Sequence, residues 1–206
     1  MRVLFVCSGN ICRSPLGAQV LEARLTPGTS AAVGSGAASE SMAASESGAA
    51  SGFVVESAGT IADDGAAMDE TAAAQSRRLG GDPSAHRSRY LTAEIVEAAD
   101  LVLTAERSHR AAVVSLAPRA SRRTFTIKQF ARVLDGLEPG DLADVQSPQD
   151  LVDRVARLRG VVPPPADPAD DDVDDPYRRS EATHERVADE IDAALATVAD
   201  ALRAVS

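Results

Sequence analysis

Hydrophobic and polar positions change period repeatedly along this chain. Residues 3–6 (Val-Leu-Phe-Val) form a short apolar run of β-branched and aromatic character, which predicts a buried strand. A polar stretch, residues 7–13, follows it. Ser14 and Pro15 then read as a helix N-cap with proline at the first helical position. Leu16, Val20 and Leu21 carry helical spacing through 16–25. Further strands are predicted at 53–56, 100–104 and 123–127. Helices are predicted at 68–79, stopped by Gly80-Gly81, and at 92–98, 108–116, 128–134, 148–158 and 181–205. The last of these places Val187, Ile191, Leu195, Val198 and Leu202 on one stripe. Strands alternating with helices predict an α/β fold: a single three-layer domain, 1–206, around a central four-stranded, mainly parallel sheet. Ligands of such sheets bind beyond the carboxyl ends of strands, so the loop after the first strand, beginning at Cys7, is where chemistry is expected.

Two stretches break the pattern. Over 27–52, 20 of 26 residues are Gly, Ala or Ser, and Ala37-Ala38-Ser39-Glu40-Ser41 recurs as Ala43-Ala44-Ser45-Glu46-Ser47. Such a tract offers few large apolar groups against its ordering entropy and reads as a flexible surface insertion. A longer segment, 135–170, leads through Pro163-Pro164-Pro165 into an acidic loop, 167–175.

Composition narrows the function classes. The chain has 206 residues and a net charge of −10, with no Trp, two Tyr and four Phe, which argues against nucleic-acid binding and stacking on single strands. Two Cys make no disulfide scaffold, and three scattered His make no zinc site. The first apolar run is too short for a signal peptide, and no stretch approaches the ~20 apolar residues of a membrane span. A cytoplasmic protein with free thiols, no membrane insertion and no metal or other cofactor is expected. The charge is uneven: residues 161–206 hold 12 acidic and 4 basic side chains, whereas residues 76–132 hold 11 basic and 5 acidic. Lys128 apart, every basic residue is Arg, most simply a bias of genome composition.

Chemistry concentrates in Cys7-Ser8-Gly9-Asn10-Ile11-Cys12-Arg13-Ser14-Pro15, between the first strand and the first helix. A loop in this position can turn successive backbone N–H groups inward as an anion nest, with the positive end of the helix behind it. Gly9 and Asn10 tolerate the left-handed conformations such a turn needs. Arg13 can grip two phosphate oxygens with its planar fork. The groups that cradle a phosphate also favour a thiolate at Cys7, so the pKa of that nucleophile should fall. Ser14 can donate its hydroxyl to the Cys7 sulfur. Ser8, Gly9, Asn10, Ile11, Cys12, Arg13 and Ser14 thus form the expected substrate-binding loop.

This segment resembles the phosphate-binding loop of the low-molecular-weight protein tyrosine phosphatases. Ser57-Ala58-Gly59-Thr60, His86-Arg87-Ser88-Arg89, 99–104 (Ala-Asp-Leu-Val-Leu-Thr) and Asp175-Pro176-Tyr177 are similar to later segments of that family, in its order. The resemblance implies a metal-independent phosphomonoester hydrolase working through a phosphocysteine, with Cys7 as nucleophile, Arg13 binding phosphate and Asp175, before Pro176, as general acid and then base. Like charges at Asp170, Asp171, Asp172 and Asp174 are expected to favour proton retention in this run. Asp170 to Asp172 themselves read as a solvated charge run. The resemblance also implies a pocket-lining role for Tyr177, a reversible disulfide between Cys7 and Cys12, and a partner that is a phosphotyrosine-containing protein such as a bacterial tyrosine kinase. Ile11 stands where phosphoarginine-directed relatives tend to carry Thr, which favours phosphotyrosine. Two departures bear on substrate choice: Arg178 replaces a second Tyr common in the family, and Ile61-Ala62-Asp63-Asp64-Gly65 lacks its aromatic residue. Alternatives are a phosphatase for another phosphoresidue such as phosphoarginine, a thiol-dependent arsenate reductase on the same fold, and a non-catalytic phosphoprotein-binding module. His86, His109 and His184 lack ligand spacing and read as structural.

Overall fold

A computed structural model describes residues 1–26 and 52–206. The Gly/Ala/Ser tract, Gly52 apart, lies outside the described residues. Four strands, β1 (Arg2–Cys7), β2 (Val54–Gly59), β3 (Leu101–Thr104) and β4 (Thr124–Thr126), form one parallel sheet in the order β2-β1-β3-β4. The helices are α1 (Arg13–Leu25), α2 (Glu70–Arg78), α3 (Ala93–Glu97), α4 (Arg107–Leu116), α5 (Ile127–Asp135), α6 (Pro148–Leu158) and α7 (Glu181–Ala204).

Strand alternation divides the core into two. Val3, Phe5 and Cys7 of β1, with Leu101 and Leu103 of β3, face α1, α2, α5, α6 and α7. Leu4, Val6 and Val102 face the smaller layer built from α3, α4 and the 3-10 turn Pro118–Arg123. Because both sides of the sheet are covered, its central strands are almost wholly apolar. The α7 stripe expected from its spacing is fully buried: Val187, Ile191, Leu195, Val198 and Leu202 are each at most 1% exposed. Gly17 lets α1 lie close on β1, since a Cβ there would stand 2.8 Å from the Phe5 ring.

Several boundaries move for identifiable reasons. Strand β2 runs on to Gly59 because it pairs with β1 through Cys7. Strand β4 ends at Thr126, whose hydroxyl caps α5 by accepting from Gln129 N, so Ile127 belongs to the helix. Helix α2 begins at Glu70 because Asp69 accepts from Thr71 N and Ala72 N. Within 135–170, α6 forms as expected, flanked by 3-10 turns Pro139–Leu142 and Pro168–Asp171.

The first crossover leads from β1 to β2 on one side, and β3 lies on the other side of β1. The carboxyl end of β1 is therefore the switch point of the sheet, where the surrounding loops diverge and leave a crevice. Cys7 is its last residue.

Candidate active site

The loop after β1 is held from beneath by the ends of neighbouring strands. Thr60 N donates to Cys7 O (3.0 Å) and Ile61 N to Ser8 O (3.0 Å). Gly59 makes this contact possible. A Cβ at this position would lie 2.9 Å from Asn10 N, and closer still to the Ser8 carbonyl oxygen. Both obstacles are backbone and cannot swing away. Gly59→Ala is expected to cost roughly 1–3 kcal/mol, as overpacking does elsewhere, and to distort the loop. Thermal denaturation with parallel turnover measurements checks this; an unchanged melting temperature and rate would contradict it.

Asn10 is the pivot of the loop. It takes the left-handed conformation (φ 53°) and is fully buried. Gly9 does not share that conformation, contrary to expectation, so the turn needs one left-handed residue rather than two. Four bonds fix the strained residue. Asn10 Nδ2 donates to Ser14 Oγ (2.9 Å) and Ser57 Oγ (2.9 Å), Arg89 N donates to Asn10 Oδ1 (3.0 Å), and His86 Nε2 meets Asn10 O at 2.8 Å. Burial lowers the His86 pKa, which favours the neutral ring.

Ser14 does not cap the helix. Helix α1 starts two residues earlier, with Cys12 at the N-cap and no side-chain cap bond. The Ser14 hydroxyl points back instead and stands 3.0 Å from Cys7 Sγ. Its oxygen accepts from Asn10 Nδ2, and its one proton has two acceptors in reach, the sulfur and Ala58 O at 3.3 Å. Both cysteines are buried and unbonded to each other. Burial, reinforced by Asp69 and then by Cys7 itself, pushes the Cys12 thiol far above its usual range. Cys12 is thus held as the neutral thiol.

Arg13 is 2% exposed, and its guanidinium is aimed by three oxygens. Nη1 donates to Glu106 Oε1 and to Val173 O (2.9 Å), while Nη2 lies 3.3 Å from Asp175 Oδ2. Sequence reasoning missed Glu106. It lies just beyond β3, which the switch-point topology brings beside β1. Burial pushes its carboxyl up, but the Arg13 hydrogen bond and charge outweigh this and hold it below the usual range. His109, expected to be structural, also reaches the loop: its Nε2 lies 2.8 Å from Ser8 Oγ. Burial lowers its pKa, against the opposing pull of Glu106. His184 is buried in α7 and lies 4.0 Å from Asp69, away from this cluster.

The acidic loop does not behave as a set of repelling carboxylates. Asp171 pairs with Arg132 (2.8 Å) and is 6% exposed, so it is no solvated charge. Asp172 pairs with Arg107 (3.0 Å) and Asp174 with Arg186 (2.7 Å). Each is held by its own arginine, and of these carboxylates Asp175 is the one paired with Arg13. Val173 N donates to Ala105 O (2.8 Å), which ties this loop to the end of β3. Tyr177 is 43% exposed beside it, with the Arg178 guanidinium 5.0 Å from its ring centroid. Ile11 is half-buried against the core, whereas Ile61 is 74% exposed.

A buried thiol thus ends β1 at the switch point of a parallel α/β sheet, and the loop that follows it carries an arginine paired to Glu106 and Asp175. The profile of the family described as low molecular weight phosphotyrosine protein phosphatase matches residues 35–148, a span that begins after the Cys7 loop and ends before Asp175. The protein-arginine-phosphatase of Geobacillus stearothermophilus is 33% identical over 150 residues, 69% of this chain and 77% of that protein. The low molecular weight protein-tyrosine-phosphatase Etp of Escherichia coli is 33% identical over 128 residues, 62% and 70% of the two chains. Among solved structures, the low molecular weight protein tyrosine phosphatase from T. tengcongensis superposes with a TM-score of 0.64 at 27% identity, covering 98% of this chain and 99% of that one. The chain belongs to the low molecular weight phosphotyrosine protein phosphatase family.

Proposed function

We propose that this enzyme hydrolyses phosphomonoesters on proteins, phosphotyrosine foremost, through a phosphocysteine on Cys7. The observation that carries the reading is the Cys7 sulfur 3.0 Å from the Ser14 hydroxyl, with Asp175 3.3 Å from the Arg13 guanidinium. In the first step the Cys7 thiolate attacks phosphorus, the S–P bond forms and the ester P–O bond breaks. Asp175 delivers its proton to the leaving oxygen. In the second, water attacks phosphorus and returns a proton to Asp175, the S–P bond breaks, and phosphate leaves with the thiolate restored. Arg13 and the amides of Ser8 to Ser14 stabilise charge on the equatorial oxygens throughout. Tyr177 and Ile11 line the approach. Cys12 stands ready to capture an oxidised Cys7 as a disulfide.

A second reading, phosphoarginine, is favoured by one observation: the residues after β2 present the exposed Ile61 and no aromatic ring. The similarity to a protein-arginine-phosphatase agrees with it. We take a tyrosine kinase as the natural phosphoprotein partner and the cytoplasm as the compartment; among the described residues, no helix is long and apolar enough to cross a membrane. Purified protein is expected to release phosphate from a phosphotyrosine peptide with EDTA present, faster than from phosphoarginine or phosphoserine peptides. A faster phosphoarginine reaction would replace the substrate assignment. No phosphate release from any of them, with thiol-dependent arsenate reduction instead, would overturn the phosphatase reading.

A further inference from the structure

The active-site arginine has two carboxylates; a pair of arginines at the far edge of the sheet has none. Strand β4 is an edge strand, and the carbonyl of its first residue, Thr124, accepts from two guanidinium groups at once. Arg110 Nε of α4 donates at 3.0 Å, and Arg159 Nη2, just past α6, at 2.8 Å. Arg159 lies over the Phe125 ring, 3.7 Å from its centroid, and also donates to Ser121 O at 3.4 Å. Both arginines are half-buried.

Every one of these acceptors is neutral. Among the described residues no carboxylate lies within 4.0 Å of Arg110 or Arg159. Buried arginines are ordinarily paired, and two like charges side by side in partial burial oppose each other. The strain registers in Arg159, whose pKa falls to about 10 through burial and then through the charge of Arg110. The Thr124 carbonyl has two lone pairs and accepts from both, but it offers neither guanidinium a counter-charge. Arg159 Nε is buried without a partner. The 3-10 turn Pro118–Arg123 adds Arg119 and Arg122, both exposed and free of carboxylate partners. This is the heart of the basic stretch 76–132, in a chain whose net charge is −10.

We propose that Arg110 and Arg159 form a second anion site that takes a free, multiply charged phosphate-class anion such as pyrophosphate. The chemistry fits. Arg110 keeps its two Nη groups unused by the protein, in the planar fork that phosphate oxygens accept. An anion there would supply the missing counter-charge to both guanidinium groups. The site lies at the amino end of edge strand β4, whereas Cys7 lies at the carboxyl end of β1 in the same parallel sheet. Its occupant is therefore not the phosphoryl group undergoing reaction.

Pyrophosphate titrated into the full-length protein, followed by amide and arginine Nε–Hε resonances, reads the two sites separately. Saturable shifts are expected at Arg110, Arg159 and residues 121–124, independent of shifts at residues 8–14. R110Q is expected to weaken binding at this edge at least tenfold while leaving turnover of a phosphotyrosine peptide unchanged. R159Q removes the ring contact as well and can unfold the edge; R110Q gives up a single bond and keeps the test decisive. Shifts confined to residues 8–14, or undiminished edge binding in R110Q, would overturn the site.

Discussion

Cys7→Ser is expected to lower turnover of p-nitrophenyl phosphate by roughly four orders of magnitude or more, the scale seen when a nucleophile that acts as part of a unit is removed. The reason lies in the surroundings of the sulfur. Cys7 is 3% exposed, ends a central strand and stands 3.0 Å from a hydroxyl whose oxygen is already engaged by Asn10. The Ser14 proton, shared between Ala58 O and the sulfur, can turn to a thiolate formed on Cys7. A serine hydroxyl in the same place would need a base to remove its proton. The groups about Arg13 do not supply one, because Glu106 is turned to the guanidinium and Asp175, as the proposed acid, enters the first step already protonated. The loop itself should survive. Its shape depends on Asn10, on Gly59 and on backbone bonds from Thr60 and Ile61, none of which involves the sulfur. Phosphate should therefore still bind to C7S and still shift the amides of residues 8–14. Residual activity above one part in a hundred, in protein that binds phosphate normally, would remove Cys7 from the role of nucleophile.

How much of this was legible beforehand varied with the range of the interaction involved. The two central strands, β1 and β3, follow from local apolar runs, because a sheet covered on both faces has no alternation to obscure them. The seven helices follow from spacing and caps. The loop was legible as a motif because Cys7, Arg13 and Ser14 are neighbours in sequence. What stayed hidden came from elsewhere in the chain. Glu106 and His109 look like ordinary polar residues opening α4, and only the β2-β1-β3-β4 order puts them against Arg13 and Ser8. Ser14 obeys the N-cap pattern, but a cysteine sulfur competed for its hydroxyl and the helix began without it. The acidic run misled for the same reason. Counting charges along 167–175 suggests repulsion, whereas Arg107, Arg132 and Arg186 come from three different helices to separate them.

That separation sharpens the choice of acid. Asp174 and Asp175 are adjacent, and the motif alone ranks them by a following proline. Geometry gives an independent criterion. Asp174 is held by Arg186 at 2.7 Å on the exposed side of the loop, and Asp175 faces Arg13 at 3.3 Å. A substrate phosphate claims Arg13, releasing Asp175 to the leaving oxygen of the same phosphoryl group. The size of its contribution depends on that oxygen. Tyrosine, with a phenol pKa of about 10, is a poor leaving group and needs the proton, whereas p-nitrophenolate departs with little help. Asp175→Ala is expected to slow a phosphotyrosine peptide by about 10²–10⁴, the usual worth of general-acid catalysis, and to slow p-nitrophenyl phosphate far less. Asp174→Ala breaks one exposed ion pair, a loss worth about 0–1 kcal/mol, and should leave both rates within a few-fold of wild type. Rates for the two variants on aryl phosphates of graded leaving-group pKa decide the matter. If the steep dependence appears in D174A and not in D175A, the proton comes from the other carboxylate, and the Arg13 contact of Asp175 is structural.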